Sequence, residues 1–222
     1  MDVKKIVNCL IDDIIGGTAI SQILLKAQIV AYNIDDEMFS KLIKNEQQGY
    51  SSNAETPGYR QLKTKVNATF VDPLGNERTV EVHSETIEDE KIRNLMSYVC
   101  VKEPLVQIEN IYKNAESEML KVLVPVFAYP IIKKLYAYNC LKVRSAHHYF
   151  SKESLLSIVE IFKAQLLELL LQFDKNLDWN IDLSTEQNRE KVKTIINNVY
   201  HVKAVVANMG DGNVETNDIQ LK

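Results

Sequence analysis

Apolar positions recur at helical spacing through most of the chain and switch to alternation in two places. Ile6, Val7, Leu10, Ile11, Ile14 and Ile15 form a stripe at 3–4 spacing, the pattern of a helix with one buried face. Gly16-Gly17 supplies its stop, because glycine accepts the left-handed C-cap geometry at low cost. Two more amphipathic helices occupy residues 21–48 and meet at Asn33-Ile34-Asp35-Asp36. Ser21 and Asp35 are the expected N-caps, since a short side-chain oxygen accepts from a first-turn N–H. Leu24, Ala27 and Ala31 mark one face, and Phe39, Leu42, Ile43 and Glu46 the other. Residues 51–58 are polar and rich in turn formers. Residues 59–71 and 77–83 alternate around Asp72-Pro73-Leu74-Gly75-Asn76, which predicts a β-hairpin.

Helical spacing returns over residues 87–99 and again after Pro104. Residues 116–140 are apolar but carry Pro125 and Pro130. A broken helical region is expected there, with a separate helix over 131–138, because each proline removes a donor and restricts its predecessor. Residues 141–150 are β-compatible. Lys152 onward is the longest clean helix, with Leu155, Ile158, Phe162, Leu166, Leu169 and Phe173 holding its period to residue 175. Ser184-Thr185-Glu186-Gln187 has the form of a capping box. It opens a helix with Val192, Ile195 and Ile196 on one face, and Asn197-Asn198 closes it. Residues 200–207 then read as a strand, 210–213 as a turn, and 214–221 as a second strand. Tyr200, Val202, Ala204 and Val206 share one alternating face of the first strand, which makes this tail a candidate oligomerisation element.

The expected fold is therefore α+β and mostly helical. It comprises a helical domain over 1–183 with one hairpin inserted at about 59–83, and a helix-plus-two-strand tail over 184–222.

The elements at the centre of this pattern also carry a resemblance. Leu24, Leu25, Lys26 and Ala27, then Asp35-Asp36-Glu37, Phe39, Leu42, Ile43 and Glu46, then Gly49-Tyr50 and Pro57, Tyr59 and Arg60 recur in order and at the right spacing. This run resembles the AbiTii domain, a bacterial abortive-infection domain associated with phage resistance. The likeness extends over about residues 6–174 and is sharpest up to Phe70. It implies a phage-defence role and brings no catalytic residues with it.

Composition narrows the classes. The 222 residues are 45% hydrophobic and 25% charged with a net charge of −4, an ordinary balance for a globular chain with a sizeable core. No global charge draws it to nucleic acid or anionic lipid. Three widely spaced cysteines, Cys9, Cys100 and Cys140, include no CxxC, so reduced and buried thiols in a cytoplasmic protein are expected. Asp12-Asp13 interrupts the apolar N-terminal pattern, so a signal peptide is not expected. Charges within residues 120–132 and 154–173 make neither run a membrane span.

Candidate chemistry is thin. No phosphate-cradling glycine loop or nucleophile motif is present, and no cofactor or metal is expected. Adjacent acids such as Asp12-Asp13 diverge by about a hundred degrees on a helix and do not converge on one ion. Arg144, His147 and His148 invite a nuclease reading. Only two or three residues separate the arginine from either histidine, too few for the Arg-to-His spacing of HEPN-type ribonucleases. Tyr50, Tyr59 and Arg60 form a candidate aromatic–cation recognition surface. The alternative is that the rings cover the base of the hairpin while Arg60 pairs with Glu46 or Glu55. The resulting expectation is a homo-oligomeric defence protein that acts by contact with a phage or host protein. An enzyme of unfamiliar nuclease-like type, or a membrane-acting effector, are its rivals.

Overall fold

The computed structural model describes residues 2–51, 53–136, 141–179 and 185–208. They form an α+β protein whose chain divides into two compact units.

The first unit is helical and takes residues from 1–60, 102–114 and 155–222. Helix α1 (Val3–Ile15) is capped by Asp2, whose carboxylate accepts from the Lys5 N–H at 3.3 Å, and ends at Gly16. Helices α2 (Ile20–Ile34) and α3 (Glu37–Gln48) are joined by two residues. The caps sit one or two residues from the expected places. Asp35 is the left-handed C-cap of α2 at φ 56°, and Asp36 caps α3 by accepting from the Phe39 N–H at 2.8 Å. Ala19, without a side-chain hydrogen bond, precedes α2 in place of the expected Ser21 cap.

Helix α5 (Leu105–Asn114) packs on α2 and α3. Helix α7 (Lys152–Asn176) starts directly after Ser151 and buries Leu155, Ile158, Phe162, Leu166, Leu169 and Phe173 in the predicted rhythm. Phe173 meets Phe39 edge-to-face at 6.1 Å.

Helix α8 (Glu186–Asn208) corrects the reading of the tail. Asn197-Asn198 does not stop it, and residues 200–207 continue the helix where a strand was expected. Val192, Ile196 and Val199 are buried, so the helical period runs on past the asparagines and tertiary burial overrides the local break signal. Tyr200, Val202, Ala204 and Val206 therefore do not line one face of a strand, and the strand-pairing argument for assembly through them loses its basis. The expected second strand at 214–221 lies outside the described residues, as does Ser184 of the capping box.

The second unit takes residues 61–101 and 115–154 and holds both sheets. The hairpin is present as β2 (Lys65–Val71) and β3 (Glu77–Val82). Its turn is held by Asp72, whose carboxylate accepts from the Leu74 and Asn76 N–H groups at 2.8 Å each, with Gly75 at φ 88°. The hairpin is not a lone insertion, however. It forms half of an antiparallel sheet of order β3-β2-β6-β5, with β5 (Met119–Leu123) and β6 (Lys142–Ser151) as the other half. Strand β5 stands where helix was expected. The helix near Pro130 is α6 (Tyr129–Leu135), with the proline in its first turn, where its missing donor costs nothing.

The stretch after residue 59 likewise divides. A 3-10 turn, Gly58–Arg60, leads to β1 (Gln61–Lys63), which pairs with β4 (Tyr98–Cys100) in a separate two-stranded sheet. Helix α4 (Glu90–Ser97), capped by Asp89, stops where β4 begins. Val66, Ala68, Phe70, Val82, Met96, Ile132 and Ala146 make this unit's core.

Candidate functional site: a sealed glutamate–arginine–tyrosine cluster

The last turn of α3 points Glu46 inward, on the same face as Phe39 and Ile43. Gly49 then turns the chain at φ 84°. A Cβ here would lie 2.7 Å from the Lys102 carbonyl oxygen, closer than real contacts allow. The bare backbone lets the Tyr50 N–H donate to that carbonyl at 2.8 Å. Ten residues on, the Arg60 N–H donates to the Pro57 carbonyl at 2.9 Å and closes the 3-10 turn that brings Tyr59 and Arg60 back to Glu46. Gly58 opens this turn with no positive φ.

Within the cluster, Arg60 Nη2 donates to Glu46 Oε2 and Arg60 Nη1 to the Glu103 carbonyl at 2.6 Å. The Tyr50 and Tyr59 hydroxyls donate to Glu46 Oε1 at 2.5 and 2.7 Å. Arg60 also stands over the Tyr50 ring, 5.0 Å from its centroid. Both charged side chains are 0% exposed. A carboxylate taken out of water is tolerable here because each of its oxygens is met by a donor and its charge by a guanidinium. Burial works against the Arg60 charge, but Glu46 and the two tyrosines outweigh it and hold the guanidinium pKa above its ordinary value.

Burial first, and the Glu46 charge second, raise the phenol pKa of Tyr50 and Tyr59 well above the usual range. Tyr200 of α8 shares this environment. Its hydroxyl is buried without a hydrogen-bond partner, and burial and Glu46 push its pKa up as well.

The three residues expected to form a recognition surface are thus brought together, but in the interior. Tyr50 and Tyr59 are buried with Arg60, and the cation–aromatic contact faces inward. Of the two acids weighed as the arginine's partner, Glu46 fills the role. The sequence signal for this was Glu46 itself, a charged residue on the apolar stripe of α3.

Arg144, His147 and His148 are not brought together. All three lie on β6, where neighbouring residues face opposite sides of the sheet. His148 points into the core beside Ala146 and Phe150 and is 2% exposed, with Nδ1 2.8 Å from the Thr64 hydroxyl. Burial lowers its pKa to about 4. His147 lies on the other face, edge-to-face with Tyr149 at 6.3 Å. Arg144 falls at a register shift between β2 and β6, where Thr69 pairs with Ser145 and Phe70 with Val143, and it pairs with Glu77. The β-compatible stretch at 141–150 is a strand, and the two histidines lie within it. They sit in the middle of the sheet, and Ala146, His148 and Phe150 alternate inward.

Among the described residues no three His, Cys, Asp or Glu side chains group as metal ligands. Cys9 and Cys100 are exposed rather than buried. Cys9 Sγ accepts from Lys26 Nζ at 3.2 Å, and the same ammonium pairs with Asp13 at 2.5 Å. No described helix is long and apolar enough to cross a membrane.

Compared with known proteins, residues 5–199 match the model of the AbiTii family. No curated protein and no solved structure matches the chain.

Proposed function

The chain belongs to the AbiTii family, and from that membership we propose that it is a cytoplasmic phage-defence protein of the abortive-infection type that works by contact with a phage or host protein. The family suggests the defence role. What supports the contact mechanism is one surface of α2. Leu25, Ile29 and Tyr32 lie at i, i+4 and i+7 and are 60%, 38% and 83% exposed. Large apolar side chains aligned on one helix face and left in water are the usual mark of a docking surface. On the opposite face Leu24, Ala27 and Ala31 are buried, so this stripe is surplus to folding.

The test is phage challenge of cells carrying the wild-type chain, Leu25→Lys with Tyr32→Lys, or His147→Ala with His148→Ala. The expected result is plaque reduction by the wild type, loss of it in the α2 variant at unchanged helicity and melting temperature, and its retention in the His147→Ala, His148→Ala pair wherever that pair folds. Purified protein that cleaved nucleic acid or consumed a nucleotide, and lost that activity on a point substitution, would overturn the reading.

A further inference from the structure

Among the described residues strand β5 is an edge of the four-stranded sheet, and its hydrogen-bonding pattern leaves a short, well-defined part of that edge without a partner strand. The Lys152 N–H donates to the Glu118 carbonyl and the Val124 N–H to the Ala146 carbonyl, each at 2.9 Å. Even-numbered residues of β5 therefore direct their backbone groups to β6. In an antiparallel ladder the alternate residues, Met119, Lys121 and Leu123, direct theirs the other way. Met119 is blocked from within its own chain. The Ser117 hydroxyl accepts from its N–H at 3.2 Å and donates to its carbonyl at 2.8 Å. Two residues remain, Lys121 and Leu123, with both N–H and both C=O facing outward.

The side chains around this edge are apolar and exposed. Met119, Val122 and Leu123 are followed by Val126 and Phe127 just beyond the strand, the last 67% exposed. The opposite edge of the sheet differs. Strand β3 carries Glu77, Arg78 and Glu81, the charged dressing that keeps an edge from pairing. On β5 only Lys121 does so.

The geometry points to a second copy of this chain as the occupant, paired antiparallel through β5. A free edge of two residues is complementary to itself in one register, Lys121 opposite Leu123 of the copy and Val122 on the two-fold axis. In that register all four outward groups of each chain are satisfied. It also places each lysine across from leucine, over which its stem can lie, rather than across from the other lysine, a pairing of like charges that destabilises. The exposed apolar side chains of Met119, Val122, Leu123, Val126 and Phe127 lie along or just beyond this edge in each copy, where a specific interface is expected to bury about 1,000 Å² in all. This assembly does not depend on the α2 stripe or on the defence role.

The experiment is solution mass of the full chain across a concentration series, beside two variants. Lys121→Pro removes an outward N–H and none directed to β6, a change an edge strand accepts. Val122→Cys is made with Cys9, Cys100 and Cys140 replaced by Ser. Residue 122 and its copy form the non-hydrogen-bonded pair, about 4.5 Å apart at Cα, within disulfide range. The expected outcome is a wild-type dimer, half that mass for Lys121→Pro at unchanged circular dichroism, and rapid disulfide dimerisation of Val122→Cys but not of Leu123→Cys in the same background. A wild-type monomer at micromolar concentration, a Lys121→Pro dimer, or a dimer in which Val122→Cys fails to cross-link overturns it. If Lys121→Pro does not fold, the cysteine pair decides alone.

Discussion

Arg60 and Glu46 meet inside the helical unit with neither side chain reaching water, and the Glu103 carbonyl, far along the chain, accepts from the same guanidinium. An isolated guanidinium or carboxylate at this depth would cost several kcal/mol. Each is the other's condition for being buried, and the hydroxyls of Tyr50 and Tyr59 complete the carboxylate's shell.

Removing one partner is therefore expected to cost far more than removing both. Glu46→Gln keeps the shape and leaves the guanidinium uncompensated, for a loss of about 3–5 kcal/mol. Glu46→Leu combined with Arg60→Met should recover much of that loss. Urea unfolding followed by circular dichroism measures both. Equal destabilisation by the single and double changes would show that the pair is not coupled.

Gly49→Ala is expected to destabilise by about 2–4 kcal/mol, because it adds a strained positive φ to a contact with main chain that has little room to yield. The hypothetical Cβ stands 2.7 Å from the Lys102 carbonyl oxygen. Gly75→Ala provides the comparison. It has the same sign of φ, at 88°, but nothing within 4 Å, so it should pay for strain alone and melt closer to wild type.

At alkaline pH the three cluster tyrosines set the direction. Their folded pKa values lie above the ordinary 10.0, so the folded state holds its phenol protons more tightly than the unfolded chain. Their contribution to stability is complete below about pH 10 and falls as pH rises beyond it. Thermal melting between pH 8 and 11.5 should show a steep decline starting near 10. Absorbance of tyrosinate should show Tyr50, Tyr59 and Tyr200 titrating only on unfolding. Replacing all three by Phe should flatten the decline.

In the acid range His148 acts with the opposite sign. Its pKa falls from 6.5 to about 4 in the folded state, so the unfolded chain binds the proton first. Stability is full above pH 6.5 and is lost as pH drops toward 4, by at most about 3 kcal/mol. Histidine ring resonances should show the His148 ring neutral at pH 5. His148→Leu should lessen the slope of stability against pH between 6.5 and 4.

The sequence by itself determined the elements whose signal is local. The stripe of α1, the period of α7 and the turn at Asp72–Asn76 follow from side chains a few residues apart, as does the junction of α2 and α3. Each was legible to within a residue or two because a helix face or a tight turn is specified by near neighbours. The family run from Leu24 to Arg60 was equally legible. Tertiary structure decided the rest. Strand β5, an apolar stretch next to prolines, becomes a strand only because β6 is there to pair with it. Strand β6 turns His148 inward and Arg144 aside through a register shift that no spacing announces. Residues 200–207 alternate well enough for a strand, yet they continue α8 because Val192, Ile196 and Val199 are already buried on a helical face. Tyr50, Tyr59 and Arg60 carry the composition of a binding surface. They are interior because Glu46, one polar residue on an apolar stripe, supplies the charge and the acceptors that make their burial possible.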